Sequence, residues 1–563
     1  MQEDHSFARA RQLLLDQRTD YDTARAEFEW PRLDTFNWAL DWFDPMAEGN
    51  DELALLGIDD DGTQHKVTFD EMRRRSNQVA NFLADQGIER GDRVLLMLPN
   101  VVPLWEAMLG LMKLGAVTIP ATVLLTDDDL ADRLERGEVS HVIVWHEETE
   151  KFEELLDEQT RISVGGEVDG WQRFEGSTRA DASFSPDADT PADSPLLLYF
   201  TSGTTAAPKL VMHTHQSYPV GHLSTMYWLG LQPGDNHLNI SSAGWAKHAW
   251  SSFFAPWIAG ATVVYLNYDR FDADWALQTI ADCKVTSICA PPTVWRLFIQ
   301  HDLGGYDVSL REIVSAGEPL NPKVIDKIDE AWGLRPRDGY GQTETTAQIA
   351  NTPDQPIKEG SMGRPLPGYD IVLLDADDEP IDGPGEGQIA IRLDPAPVGL
   401  MAGYYGDETS SREKVGGEFY LTGDVAERDE DGYITYVGRA DDVFKSSGYR
   451  ISPFELESFI IRHEAVAEAA VVPSPHATRG EIPKAFLTLK EGYEPGEEVA
   501  RSIFAMIRED LSGYKRIRRI EFLELPKTVS GKIRRVELRR SEVERGPEGE
   551  QRDNEFWYEQ FRD

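Results

Sequence analysis

The stretch PLLLYFTSGTTAAPK concentrates groups that could do chemistry: an apolar strand, residues 196–200, empties into Thr201, Ser202, Gly203, Thr204 and Thr205, and Lys209 follows. Small hydroxyl side chains beside a glycine let backbone N–H and side-chain O–H groups converge on anionic oxygens, and a lysine adds charge. Phosphate binding is the chemistry this predicts. The spacing of Gly203 and Lys209 is not that of a Walker loop, and no Gly-Lys-Ser/Thr follows. On its own the loop also reads as a Ser/Thr turn after a strand.

Other residues could complete such a site. Glu344, in Asp338-Gly339-Tyr340-Gly341-Gln342-Thr343-Glu344, is an acceptor-only carboxylate able to hold Mg²⁺ against phosphates, and the Thr343 hydroxyl can donate. Tyr340 offers a flat face to a planar ring, with the Gly317-Glu318-Pro319 turn closing the other side. Asp424, after Thr422-Gly423, can accept a pair of neighbouring hydroxyls or close an Asx turn. Residues 515–540 hold ten Lys or Arg against three Glu in a chain of net charge -43. That contrast calls for an anionic ligand there, unless the cations face acidic neighbours along a helix.

Six further motifs follow the 201–209 loop in order: Gly317-Glu318-Pro319; Tyr340 to Glu344; Thr422-Gly423-Asp424; Gly438-Arg439-Ala440-Asp441; Ser447-Gly448-Tyr449-Arg450; and Pro526-Lys527-Thr528 with Gly531-Lys532. In this order they resemble the adenylate-forming superfamily of acyl-CoA synthetases, nonribosomal adenylation domains and luciferases, over roughly residues 35–540. The chain is most similar to the medium-chain acyl-CoA synthetases. The resemblance implies ATP and CoA as co-substrates, Mg²⁺ on Glu344, and Lys532, Thr343, Glu344 and Asp441 as catalytic residues. It implies ATP and AMP contacts from residues 201–205, Lys209, Gly317 to Pro319, Asp338 to Gln342, Asp424 and Arg439. CoA would meet Ser446, Ser447, Gly448 and Arg450. Lys532 becomes the cation bridging carboxylate and α-phosphate, and Asp441 the hinge about which the C-terminal domain rotates between adenylate and thioester formation. Ala206 and Leu210 depart from glycines common in the loop.

Acetate-specific relatives carry Trp at the position of Gly341, so glycine implies room beyond two carbons and a medium-chain or branched acid. Trp245 and Gly341 would line the acyl pocket, while aromatic residues of GWAKHAWSSFFAPW at helical spacing also read as core. Lys247 and His248 receive no role. Residues 239–252 contain no Asp or Glu, which argues against an amino-acid substrate. Alternatives are an aryl- or short-chain acyl-CoA ligase and, more distantly, a non-catalytic nucleotide-binding regulator.

The elements that must position these residues alternate helix and strand from about residue 69 to 300: FDEMRRRSNQVANFLADQG is helical, DRVLLML a strand, VPLWEAMLGLMKLG helical, SHVIVW and ATVVYL buried strands. The fold class expected is α/β, a large N-terminal domain of layered α/β subdomains plus a small β unit, then a smaller, mobile α+β domain. Its bounds are 1–438, with the β-rich part at about 360–437; 439–442 as hinge; 443–545 as lid; and 546–563 as an acidic, frayed tail. Residues 160–195, rich in Asp, Ser, Gly and Pro, predict a mobile surface connection.

With 563 residues and 40% hydrophobic content, a large globular enzyme is expected. The acidic charge suits solubility in concentrated salt, as in a halophile, and disfavours nucleic acid as a partner. Two cysteines, no signal pattern and no long apolar run predict a cytoplasmic protein without membrane insertion, and homo-oligomerisation stays open.

Overall fold

The computed structural model describes residues 5–201, 208–317, 320, 322–358, 360–415, 417–446, 449–513, 515–528, 532–547 and 549–561. Helix Phe69–Asp85 starts at a capping box in which Thr68 and Glu71 exchange side-chain and backbone hydrogen bonds. It buries Phe69, Met72, Val79 and Leu83, each contributing about 1.5–3 kcal/mol, while Phe82 is partly covered. Helix Val102–Leu114 ends at Gly115, whose φ of 77° is the left-handed cap that favours glycine.

Among the described residues these helices pack on two large sheets. In the eight-stranded sheet, Val117–Ala121, Arg93–Met97, His141–Trp145 and Thr160–Val164 run parallel. Pro195–Phe200 lies beside Val117–Ala121 and pairs antiparallel with Leu210–Thr214, so Thr201 and Lys209 stand side by side at one end of the pair. The parallel half of the thirteen-stranded sheet runs Leu53–Asp59, Thr262–Asn267, Asn236–Asn239, Ser287–Ala290, Glu312–Ala316, Arg337–Gly341. Segments 240–245, Gly317 and 342–346 leave carboxyl ends of neighbouring strands, the edge at which open α/β sheets bind ligands.

The same sheet reverses at Ala347–Ala350 and continues without a break through Ser361–Pro365, Ile434–Arg439, Phe419–Arg428, Gly385–Arg392 and Ile371–Leu374. The expected antiparallel unit is therefore hydrogen-bonded onto the parallel half. The smaller domain gathers Leu456, Ile460, Val471, Ile503, Phe504 and Ile520 into its own core. No helix among the described residues is long and apolar enough to cross a membrane.

Two expectations fail. Residues 160–195 are not a loose connection: Thr160–Val164 is a strand, and amides of Asn77, Gln78 and Asn81 hold the carbonyls of residues 178, 180, 181, 182 and 183 on one helix face. Nor is the tail frayed. Glu555–Trp557 pairs as edge strand with Arg519–Phe522, and Tyr558 and Phe561 enter the core. Its anchor is Lys484, fully buried, whose Nζ lies 2.6 Å from Glu521, 2.8 Å from Glu542 and 2.8 Å from Glu555. Removing the lysine leaves buried carboxylates short of a cation, so Lys484→Met is expected to lower the stability of this domain by about 3–5 kcal/mol in guanidinium unfolding. A loss under about 1 kcal/mol would contradict this role.

Candidate active site

The 201–209 loop, expected to bind phosphate, is pinned at its neck. Thr201 N donates to the Lys209 carbonyl at 2.8 Å, and Lys209 N donates to Thr201 Oγ1 at 3.0 Å. Arg136 donates to Pro208 O at 2.6 Å, with its guanidinium 5.4 Å from the Phe200 ring. Both ends of the loop are thus fixed, and Ser202, Gly203, Thr204 and Thr205 themselves lie outside the described residues. Lys209 Nζ stands 4.4 Å over the Tyr404 ring, and Tyr404 OH donates to Glu344 Oε1 at 2.8 Å. Burial, then the neighbouring Glu344, raises the Tyr404 pKa and keeps the phenol a donor. Tyr404 reaches this position because Gly403–Tyr404 pairs with Leu210–Thr214, the strand that leaves the loop.

Asp424, buried on Phe419–Arg428, is a second meeting point. Its Oδ2 accepts from Tyr340 OH at 2.5 Å and Gln342 Nε2 at 2.8 Å. Its Oδ1 lies 3.4 Å from Tyr436 OH and 3.7 Å from Arg439 Nη1. Burial raises the Asp424 pKa, and Arg439 and these donors oppose the rise. A carboxylate has about four acceptor sites, so Oδ1 retains capacity for hydroxyls. Tyr420 OH donates to Gln342 Oε1 at 2.9 Å, and Lys414 Nζ donates to Leu421 O at 2.5 Å beside the same tyrosine. Burial lowers the Lys414 pKa, with Glu344 the first group opposing it.

The Thr343 carbonyl accepts from His213 Nε2 at 2.7 Å, which fixes the Nε2–H tautomer, and His213 Nδ1 lies 3.0 Å from Ser217 Oγ. Burial pushes His213 down to about 4, so the ring is neutral. Tyr218 stacks on it at 4.1 Å and accepts from Trp250 Nε1 at 2.8 Å.

That tryptophan changes the reading of Gly341. A Cβ built at Gly341 would lie 2.3 Å from the Thr346 carbonyl and 2.6 Å from the Trp250 ring, so the space next to the glycine is filled rather than open. Phe253, Phe254 and Trp257 are core, packed with Trp38 and Phe43, whereas Trp245 is partly exposed ahead of helix Ala246–Ala249. Lys247 Nζ comes within 3.5 Å of the Ala316 carbonyl and faces Asp338, whose carboxyl burial raises to about 7 against the Gly339 and Leu320 amides. His248 is buried near Trp105. Gly339 admits no side chain, since a Cβ would meet Trp228 at 2.3 Å. Gly317 holds φ 107°, while Glu318 and Pro319 lie outside the described residues.

In the C-terminal domain, Lys532 N donates to Thr528 Oγ1 at 3.1 Å and Thr528 N to Lys532 O at 2.8 Å, a neck like that between Thr201 and Lys209. The basic stretch around it is largely spoken for. Lys515 pairs with Glu455, Arg519 with Ser474 and Glu542, Lys527 with Glu468, Arg534 with Glu537, Arg535 with Glu457, Arg539 with Asp442 and Arg540 with Glu544. Arg516 and Arg518 donate to backbone carbonyls. Acidic neighbours therefore account for most of the cluster; among the described residues, Arg516 meets carbonyls instead, and the Lys532 side chain is exposed. Lys209 and Glu344 are brought together, and no contact joins Lys532 to them among the described residues. Ser446, itself buried, ends strand Phe444–Ser446; Ser447, Gly448 and the Arg450 side chain lie outside what is described. Tyr404, Tyr420, Lys414 and His213 escaped the sequence reading, because long-range packing and not local spacing delivers them.

The AMP-binding enzyme family model matches residues 44–405, and that of the AMP-binding enzyme C-terminal domain matches residues 455–532. The chain is 43% identical to 4-hydroxybutyrate–CoA ligase 1 of Metallosphaera sedula, over 92% of this chain and 93% of that protein. It is 37% identical to the mitochondrial acyl-coenzyme A synthetase ACSM3 of Mus musculus, over 93% of each. The crystal structure of the anthranilate CoA ligase AuaEII in complex with anthranoyl-AMP matches with a TM-score of 0.81 at 29% identity, covering 91% of this chain and 98% of that one. A benzoate CoA ligase from Burkholderia xenovorans LB400 matches with a TM-score of 0.78 at 28% identity, covering 90% and 100%. The chain belongs to the AMP-binding, adenylate-forming superfamily and is an AMP-forming acyl-CoA synthetase.

Proposed function

We propose that this synthetase activates a medium-chain or branched aliphatic acid and that Trp250, rather than Gly341 alone, limits how much of the acyl chain fits. The supporting observation is the Trp250 ring 2.6 Å from where a Gly341 Cβ would stand. In the first step the carboxylate attacks the α-phosphorus of ATP and pyrophosphate leaves. Lys209 and the Thr201 hydroxyl at the loop neck would meet the departing phosphates, and Lys414 adds a cation beside Glu344. Asp424 and Arg439 hold the ribose, with Tyr340 against the adenine. In the second step the CoA thiol attacks the acyl carbon and AMP leaves, after the C-terminal domain turns about Asp441.

Mg²⁺ fits Glu344. Tyr404 engages Oε1 and orients the carboxylate, and no group of three or more His, Cys, Asp or Glu is poised for a metal among the described residues. Such an ion would take its other ligands from phosphates and water, as Mg²⁺ commonly does, and would offset phosphate charge. The relative named for 4-hydroxybutyrate favours a second reading, a short hydroxy acid, with Lys247 beside Asp338 as a polar group near the acyl site.

Both readings are separated by kcat/KM over straight, branched, aromatic and 4-hydroxy acids. Trp250→Gly is expected to raise kcat/KM for the longest acids relative to butyrate by at least roughly tenfold, the effect of about one methylene of pocket. An unchanged profile would remove Trp250 as the limit. Lys532→Ala is expected to slow acid-dependent pyrophosphate release by about 10²–10³-fold while ATP binding stays within about threefold. Full pyrophosphate release in that variant would remove Lys532 from the first step.

A further inference from the structure

We infer that His213 is a positioning residue for adenylate formation: it fixes the peptide plane that joins Thr343 to Glu344, and with it the direction in which both side chains meet MgATP. This rests on the reading of Thr343 and Glu344 as catalytic residues and of Glu344 as the carboxylate that holds Mg²⁺.

Alternation along Leu210–Thr214 decides where the ring goes. Leu210 and Met212 pack into one core, whereas Val211 and His213 take the opposite face, toward the larger core that also includes Tyr340, Ala347 and Ile349. On that face His213 Nε2 donates to the Thr343 carbonyl at 2.7 Å. The carbonyl lies in the turn at 342–346, outside the ladder that pairs Arg337–Gly341 with Ala347–Ala350. A trans peptide is planar, so the Thr343 C=O, the Glu344 N–H and both Cα atoms move as one body. Holding the oxygen therefore holds the plane from which both side chains leave.

The ring is itself held. Ser217 Oγ accepts from Thr214 N at 2.9 Å and gives its own proton to His213 Nδ1 at 3.0 Å, which leaves Nε2 as the N–H. Tyr218 stacks across the ring at 4.1 Å between centroids. His213 is fully buried, and burial keeps it neutral, the state in which one nitrogen accepts and the other donates.

The same strand holds the rest of Glu344. Met212 O accepts from Ala402 N at 2.9 Å, and the neighbouring Met401 N donates to Glu344 O at 2.8 Å. Tyr404, paired opposite Val211, donates to Glu344 Oε1 at 2.8 Å. Lys209 immediately precedes this strand. Glu344 is thus tied to one element at its preceding peptide, its own carbonyl and its carboxylate, and His213 makes the first of these ties directly. Groups that orient a metal-bearing carboxylate are typically worth about 10–100-fold in metal affinity or activity.

The test is calorimetric titration of ATP into the full chain with Mg²⁺ and with EDTA, alongside single-turnover pyrophosphate release at saturating acid. His213→Phe keeps a ring to stack and removes the donor. It is expected to reduce the Mg²⁺-dependent gain in ATP affinity by roughly tenfold and to slow pyrophosphate release by about 10²-fold, with ATP affinity in EDTA within about threefold of the parent. His213→Gln, whose amide nitrogen reaches the place of Nε2, should recover most of both. A gain and a release rate equal to the parent's in His213→Phe overturn the inference, and so does a His213→Gln as impaired as His213→Phe, the result of a ring needed only for packing. If His213→Phe does not fold, His213→Asn, whose amide stops short of the Nε2 position, is compared with His213→Gln in its place. Glu344→Gln tests the underlying reading separately: it should abolish the Mg²⁺-dependent gain, and an unchanged gain removes Glu344 as the metal carrier whatever His213 does.

Discussion

A single buried carboxylate, Asp424, ties the proposed nucleotide site together. Its donors come from elements far apart in sequence: Tyr340 and Gln342 from the turn that ends the parallel half of the large sheet, Tyr436 and Arg439 from the antiparallel half. Burying a carboxylate costs several kcal/mol unless it is well paired, so these groups are held in one geometry. The residues proposed to meet adenine and ribose are thereby set relative to one another before any nucleotide arrives. Arg439 extends the constraint, since its Nε also lies 3.4 Å from Asp441, the residue proposed as the hinge.

Charge is placed locally in a chain whose net value is -43. Cations such as Lys484 and Arg535 are consumed in holding the C-terminal domain together. Lys209, Lys414 and Arg439 converge with Glu344 and Asp424 on the N-terminal domain. An anionic substrate would therefore meet a small positive field inside a negative molecule, and the whole-chain charge says little about the site.

Where the motif residues lie in the fold was partly legible because several act through local backbone. The 201–209 loop closes on itself through Thr201 and Lys209, and residues 340–344 follow directly from one strand, so type and spacing sufficed. Tyr404 and Lys414 were not legible: one depends on a two-residue strand joining the other sheet, the other on a short exposed helix folded back over Tyr420. Gly341 misled because a missing side chain announces space without saying what fills it, and Trp250 fills it. The Asp- and Ser-rich residues 160–195 and the acidic tail misled for one shared reason. Composition reports solvation of side chains, whereas Asn77, Asn81 and Lys484 bind these segments through carbonyls and buried carboxylates.

The most direct measurement is calorimetric titration of ATP, without acid or CoA, into the Asp424→Ala variant and the parent chain. If this carboxylate both receives the ribose and holds its donors in place, the variant should bind ATP at least roughly 30-fold more weakly, about 2 kcal/mol, while unfolding as a cooperative unit. ATP affinity equal to that of the parent would contradict the account.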